Sequence, residues 1–134
     1  MLFGMLGCKS IQPSELAGTW VMTEYSRQVL PPELRKARAK IVLNADGTFN
    51  ASELPGLLYF PPDQPLLDSG SGIWKLVSHD DRQQIQIVFE ATTSGSPIKV
   101  PFGTYIGVSR GWSSVSLFYF LGDADEGRRI EFVQ

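Results

Sequence analysis

The stretch LAGTWVM at residues 16–22 decides the fold of this 134-residue chain. Its residues alternate so that Gly18, Trp20 and Met22 share one face, as in a half-buried β-strand. The same alternation returns in RRIEF at residues 128–132, near the end of the chain. The patterned part of the chain therefore begins and ends with a strand.

The residues between these two stretches repeat the pattern, interrupted by Gly, Asp, Asn and Pro, which is typical of short antiparallel strands joined by hairpins. The clearest hairpins turn at residues 44–47 and at residues 79–81. A charged stretch at residues 31–38 predicts at most one short helix. About eight successive strands predict an all-β fold, a single antiparallel up-and-down β-barrel whose closure removes the two exposed sheet edges.

Four motifs spread over the chain carry a resemblance to a known family. They are LAGTW at residues 16–20, LNADGTF at 43–49, SGSGIW at 69–74 and GDADEGR at 122–128. Together they resemble a group of uncharacterised bacterial lipocalin-like proteins, which are often predicted lipoproteins. The resemblance covers nearly all of the chain after the first ten residues. It departs where Ala124 replaces the proline of a common Gly-Asp-Pro-Asp turn.

The resemblance implies how the barrel is closed. In lipocalin-type barrels a tryptophan plugs the closed end, and an arginine from the last strand lies across its indole in a cation–π contact. Alternation places Arg128 on the same face as Ile130 and Phe132, so Arg128 is the residue expected to cover Trp20. The family has no established activity to transfer, and shape alone does not imply function.

The first ten residues, MLFGMLGCKS, resemble the lipobox of a bacterial lipoprotein, in which the cysteine is acylated and the preceding segment is removed. We therefore predict that residues 1–10 are a truncated signal remnant and a tether, and that residues 11–134 form the barrel domain. This assignment places the protein on the bacterial cell envelope, lipid-anchored through Cys8 on the periplasmic or extracellular face. The alternative is an ordinary N-terminus with an idle thiol, which would leave the protein in the cytoplasm.

Composition limits the partners and the number of domains. The length suits one domain, which we expect to be a monomer. The chain carries 12 Lys and Arg against 14 Asp and Glu, whereas a nucleic-acid-binding protein concentrates positive charge on one face. No apolar run approaches the length of about 18–20 residues that a spanning helix needs, so we expect membrane association only through a lipid anchor.

The sequence offers little catalytic or metal-binding chemistry. It contains one histidine, His79, and one cysteine, Cys8, so it lacks an internal disulfide and the several His or Cys ligands of a zinc site. The stretch DADEG at residues 123–127 lacks the third ligand and the glutamate at position twelve of a calcium loop. We expect no cofactor, no metal and no catalytic residue. A hydrolase-like enzyme is a third hypothesis, which requires His79 beside a buried carboxylate or serine.

The interior of the predicted barrel is the first candidate binding site. An eight-stranded barrel is either filled by its own side chains or holds one small ligand. Residues at alternating positions are the candidates for lining a cavity for a small hydrophobic ligand, reached from the mouth opposite Trp20. These residues are Phe49, Trp74, Ile87, Phe89, Tyr105 and Tyr119.

The longest irregular stretch, at residues 54–68, is the second candidate. It is too rich in Leu, Tyr and Phe to favour disorder, so these side chains need a surface on which to pack. One alternative is a packed loop over the outer face of the strand at residues 115–121, which is apolar on both sides. The others are a lid over the barrel mouth and an apolar patch for a partner protein. The residues concerned are Leu57, Leu58, Tyr59 and Phe60.

Two classes of function follow from these candidates. The first is a non-enzymatic, envelope-associated lipocalin-like barrel that binds a small hydrophobic ligand in an interior cavity. The second is a protein–protein interaction module, of an inhibitor or immunity type, that binds an envelope protein partner. The second class predicts a filled barrel with exposed apolar side chains between Leu57 and Leu67.

Overall fold

The computed structural model describes residues 10–55, 67–93, 99–121 and 128–134. Eight antiparallel strands follow one another in chain order around a closed barrel, and the first strand pairs with the last. This arrangement confirms the prediction of an all-β, up-and-down barrel. The strands are β1 (Gly18–Met22), β2 (Lys40–Leu43), β3 (Thr48–Pro55), β4 (Leu67–His79), β5 (Arg82–Thr92), β6 (Phe102–Arg110), β7 (Val115–Phe120) and β8 (Arg129–Val133).

The barrel has two distinct ends. We call the base the end at which β1 begins; the β2–β3, β4–β5 and β6–β7 hairpins and the last residue, Gln134, lie there as well. The opposite end, the top, holds the connection from β1 to β2 and the first residues of β8. The pairing of β1 with β8 fixes the position of β8 along the barrel axis, because Met22 lies opposite Phe132 and Val21 lies opposite Val133.

The turn residues explain why the hairpins form where the sequence predicts them. In the β2–β3 hairpin Gly47 has a φ of 91°, a left-handed conformation that glycine adopts without steric cost. The Asp46 carboxylate accepts hydrogen bonds from the hydroxyl (2.6 Å) and the N–H (3.0 Å) of Thr48, which hold the Asp46 pKa below its ordinary value. In the β4–β5 hairpin Asp80 and Asp81 have φ values of 48° and 66°, as aspartate tolerates in tight turns. Both predicted hairpins are confirmed.

Three short helical segments flank β1 and precede β2, where the sequence predicts at most one short helix within residues 31–38. The 3-10 turn lies in that stretch. The sequence pattern does not predict the two α-helices, because four or five residues are too few to show a helical repeat. Local caps stabilise them: Pro13 opens the first, and the Thr23 hydroxyl accepts the N–H of Ser26 in the second at 3.1 Å. The segments are α1 (Pro13–Leu16), α2 (Glu24–Gln28) and the 3-10 turn (Pro32–Leu34).

Inward-facing side chains from all eight strands form a hydrophobic core inside the barrel. Ile11 and Leu16 extend this core at the base, and Leu30 and Leu34 extend it at the top. Both ends of the barrel interior are therefore occupied by apolar side chains from outside the sheet. The strand members include Trp20, Ile41, Phe49, Trp74, Phe89, Ile106, Leu117 and Phe132.

Candidate functional site

Three of the predicted cavity residues fill the barrel interior. Phe49, Ile87 and Phe89 face inward and are at most 1% exposed. The rings of Phe49 and Phe89 meet edge to face, with their centroids 5.1 Å apart. A side chain with almost no solvent-accessible surface does not border a cavity that is large enough for a ligand. These residues therefore act as core.

Trp74 and Tyr119 also face the interior, and each is held by a hydrogen bond. Trp74 Nε1 donates to the carbonyl oxygen of Asn44 at 2.9 Å, and the Tyr119 hydroxyl donates to the carbonyl oxygen of Pro55 at 2.7 Å. The Tyr119 ring stacks on Phe132, with a centroid distance of 6.0 Å. Packing and hydrogen bonding together make both rings structural members of the core.

Tyr105, the sixth predicted cavity residue, lies on the outside of the barrel. β6 pairs with β5 so that Ile106 is fully buried and Tyr105 is 53% exposed. The prediction that Tyr105 lines an interior cavity is therefore wrong. Tyr105 alternates with Gly103, Gly107 and Ser109 on the outer face of β6, whereas the apolar residues Phe102, Ile106 and Val108 share the opposite face.

The expected contact between Trp20 and Arg128 is also wrong, although Trp20 is fully buried. The indole Nε1 of Trp20 donates to the carbonyl oxygen of Leu16 at 2.8 Å. Arg128 lies at the top, just before β8, and an extended strand covers about 20 Å over the six residues from there to Gln134. Gln134 lies at the base instead, where its side-chain amide donates to the carbonyl oxygen of Glu15 at 3.0 Å.

A buried carboxyl group lies close enough to Tyr119 to affect its ionisation. Asp68, near the start of β4, is only 2% exposed. Burial and the neighbouring Asp68 carboxylate raise the pKa of Tyr119 well above its ordinary value. The phenol therefore keeps its proton and its hydrogen bond to Pro55 at any pH near neutrality.

Above a pH of about 10 we expect Tyr119 to lower the free energy of unfolding. The unfolded chain releases the phenolic proton at its ordinary pKa, whereas the folded protein retains it, so stability falls as the pH rises. Tyr119→Phe should remove this dependence, at a cost of about 1 kcal/mol near neutrality for the lost hydrogen bond. Urea unfolding at several alkaline pH values measures both effects. Tyr25→Phe is the control because Tyr25 is exposed; an unchanged pH dependence in Tyr119→Phe would contradict the prediction.

A cleft with a volume of about 720 Å³ opens on the outer wall of the barrel, and its lining also includes Ile11, Val108 and Tyr119 of the core. It follows β6, where Gly107 has no side chain and Ser109 has a small one. Tyr105, Phe118 and Arg129 also line the cleft. The cleft therefore brings aromatic rings and a guanidinium group together on the exterior.

The Phe118 ring of this cleft is held by contacts from several sides. A Cβ atom at Gly107 would meet a ring atom of Phe118 at 2.4 Å, so only glycine lets the ring lie on β6. The guanidinium carbon of Arg129 lies 3.8 Å from the ring centroid, and the same arginine forms an ion pair with Glu131 at 3.2 Å. Phe120 meets the ring edge to face at 6.0 Å. These contacts hold the aromatic side of the cleft in one arrangement.

The sequence identifies this face only in part. It predicts that residues 57–60 cover the outer side of β7 or form a lid or an interaction loop, and these residues lie outside the described ranges. Arg129 lies on the outer face of β8, where its side chain is half-buried against Phe118. The feature of the sequence that indicates this face is Gly107, because a glycine within a strand often marks a close approach of a neighbouring group.

The base of the barrel is fastened to the N-terminal part of the described chain. The N–H of Ile11 donates to Oε1 of Gln83 at 2.8 Å, and Nε2 of Gln83 donates to the carbonyl oxygen of Ile11 at 2.9 Å. Nη2 of Arg110 contacts both carboxylate oxygens of Glu15, at 2.8 and 2.9 Å. Two residues beyond Arg110, at the tip of the β6–β7 hairpin, Trp112 is fully exposed. No motif or alternation in the sequence distinguishes Trp112.

Within residues 10–55, 67–93, 99–121 and 128–134, no three His, Cys, Asp or Glu side chains come together as a metal site. His79 ends β4 beside the Asp80 turn, in the predicted hairpin. Cys8, with its predicted lipidation, and residues 123–127 lie outside the described ranges.

Among the described helices none is long and apolar enough to cross a membrane. Comparison with protein-family models, with curated proteins and with solved structures finds no match to this chain.

Proposed function

We propose that this protein is a non-enzymatic interaction module of the bacterial envelope, with a filled barrel whose outer wall binds a protein partner. The observation that carries the proposal is the contrast between interior and wall. Phe49, Ile87 and Phe89 have almost no accessible surface inside the barrel, whereas the cleft along β6 has a volume of about 720 Å³. A barrel that carries a ligand inside needs the reverse arrangement.

The cleft has the chemistry of an interface centre. Aromatic side chains and arginine are enriched at protein–protein interfaces, where rings held in pockets supply much of the binding energy. Phe118 is already held by Phe120 and Arg129, so a partner does not have to order it. Tyr105 adds a half-exposed ring with a polar tip. The occupant that we infer is a protein segment that inserts an apolar side chain between Tyr105 and Phe118.

We also propose that Cys8 is acylated and holds the barrel to the envelope. The described chain starts at Ser10, two residues after Cys8, and Gln83 holds Ile11 at the base. A lipid on Cys8 would therefore hold the barrel by its base. The cleft would then lie on the side wall, accessible to a neighbouring protein.

Acylation is tested by mass analysis of the protein expressed from an upstream start in a bacterial host. We expect a chain that begins at Cys8 and carries the added mass of acyl groups, and we expect Cys8→Ser to lack that mass. An unmodified N-terminus in a host that processes lipoproteins would contradict this part of the proposal. Native mass analysis of the same sample tests the filled barrel, because a retained small molecule would favour the small hydrophobic ligand instead.

The cleft is tested with a photoreactive phenylalanine analogue in place of Tyr105, in the bacterium that encodes the protein. We expect one discrete crosslinked product, whose partner is identified by mass. Ile73 is the matched control position, because it is exposed to a similar extent (47%) on the outer face of β4. Equal products from both positions, or none from position 105, would overturn the cleft as the binding surface.

A further inference from the structure

Trp112 is an exposed aromatic residue that does not line the cleft. It lies at the tip of the β6–β7 hairpin, which is closed by a hydrogen bond from the N–H of Gly111 to the carbonyl oxygen of Ser114 at 2.7 Å. The relative exposure of Trp112 is 104%, so its whole side chain faces solvent. The other tryptophans, Trp20 and Trp74, are buried. An exposed indole gains most where one side of its surroundings is apolar and the other is wet.

Trp112 lies at the same end of the barrel as the start of the described chain. Arg110, two residues before it, binds Glu15 beside α1 through two contacts of 2.8 and 2.9 Å. Ile11 is held at the base by its two hydrogen bonds with Gln83. The start of the described chain and the Trp112 hairpin therefore lie at the same end of the barrel.

Covalent geometry limits how far Cys8 lies from this end. Cys8 precedes Ile11 by three residues, and an extended chain covers at most about 11 Å over that interval. Acyl chains on Cys8 would enter the bilayer within this distance of the base. The base, and not the side wall or the top, would then face the lipid surface.

We propose that Trp112 inserts into the headgroup region of the bilayer and orients the tethered barrel with its base towards the membrane. This inference rests on the proposed acylation of Cys8. Acylation alone leaves the barrel free to tilt about its tether, whereas a second contact restricts that motion. Tryptophan is enriched at membrane–water interfaces because its amphipathic ring suits the headgroup level.

The hairpin around Trp112 suits a lipid surface better than a protein pocket. Its neighbours Gly111, Ser113 and Ser114 are small and uncharged, and they add no further apolar or charged anchor. A protein hot spot is normally surrounded by contacts that exclude water. One indole on a polar, slender hairpin lacks such a rim, and the headgroup region does not require one.

The test uses the thiol of Cys8, the one cysteine of the chain, to couple the full-length protein to maleimide-bearing lipids in phosphatidylcholine vesicles. Because Trp20 and Trp74 are buried, quenching of tryptophan fluorescence by aqueous iodide reports mainly on Trp112. On coupling we expect iodide quenching to fall at least about two-fold and quenching by brominated lipid to appear. Trp112→Phe should lose both changes.

The matched control moves the reporter to the other end of the barrel. Tyr25, in α2 at the top, is 77% exposed, so the double variant Tyr25→Trp, Trp112→Phe carries an exposed indole away from the membrane. We expect its iodide quenching to stay unchanged on coupling. Iodide quenching of Trp112 that is equal before and after coupling would overturn the inference and would leave a protein surface as the partner of Trp112.

The outcomes separate this inference from the proposed function. Acylated Cys8 from the bacterial host together with a water-exposed Trp112 on vesicles would reject the inference alone. Unmodified Cys8 from that host would reject the anchor, and with it the membrane as the partner of Trp112. Acylated Cys8 together with lipid-quenched Trp112 would support both.

Discussion

Trp20→Ala is expected to lower the free energy of unfolding by about 4 kcal/mol. Trp20 is fully buried in the hydrophobic core of the barrel, and its removal leaves a cavity that the surrounding strands fill only in part. The substitution also leaves the carbonyl oxygen of Leu16 without the indole N–H that it accepts at 2.8 Å. Urea unfolding followed by circular dichroism measures the change without depending on tryptophan fluorescence.

Two further variants serve as controls for the Trp20→Ala prediction. Trp112→Ala removes the same side chain from a fully exposed position, so its free energy of unfolding should stay within about 0.5 kcal/mol of the wild-type value. Trp20→Phe retains most of the buried volume and should cost less than Trp20→Ala, so it remains measurable if the alanine variant does not fold. Equal urea midpoints for Trp20→Ala and Trp112→Ala would show that burial of the Trp20 indole does not stabilise the barrel.

Gly72→Ala is expected to cost about 3 kcal/mol, because the added methyl group meets backbone and not a movable side chain. A Cβ atom at position 72 would lie 1.8 Å from the carbonyl oxygen of Val88 and 3.0 Å from the nitrogen of Glu90. The pairing of β4 with β5 shifts register between Ser71 and Gly72, and this irregularity brings the two backbones together. The methyl group therefore forces the strands apart where the sheet bends.

Gly103→Ala is the matched control for this steric effect. A Cβ atom at Gly103 would meet β5 at ordinary distances, 3.5 Å from Val88 Cγ2 and 3.6 Å from the Ile87 carbonyl oxygen. We expect its free energy of unfolding, measured with urea, to remain within about 0.5 kcal/mol of the wild-type value. A Gly72→Ala variant as stable as Gly103→Ala would show that the β4–β5 irregularity relaxes without cost.

The outward position of Tyr105 shows that an aromatic residue does not by itself mark the inner face of a strand. Within Phe102–Arg110, the apolar residues Phe102, Ile106 and Val108 share one face, and Tyr105 lies among glycine and serine residues on the other. Pairing with β5 places Ile106 in the core beside residues that are already buried, and the neighbouring Tyr105 must then face outward. The outer face of β6, on which Tyr105 lies beside Gly107 and Ser109, lines the cleft.

The position of Arg128 shows a second limit of prediction from sequence, which concerns where a residue lies along the barrel axis. Alternation correctly places Ile130 and Phe132 in the interior, and it places Arg128 on the same side of the strand. It does not state which residue of β1 lies beside Arg128, because the register across the closure depends on contacts between the two ends of the chain. The pairing of Met22 with Phe132 leaves Arg128 at the top, far from Trp20.

The sequence by itself determined the eight-stranded barrel, its hairpins and the burial of Trp20, because strand alternation and turn chemistry are local properties of a few consecutive residues. Only the tertiary structure decided that Phe49 and Phe89 fill the interior, that Phe118 lies on Gly107 in an outer cleft, and that Trp112 shares the base with Ile11. These arrangements depend on register and packing between residues far apart in the chain. The free energy that selects them comes from contacts that exist only after the barrel has closed.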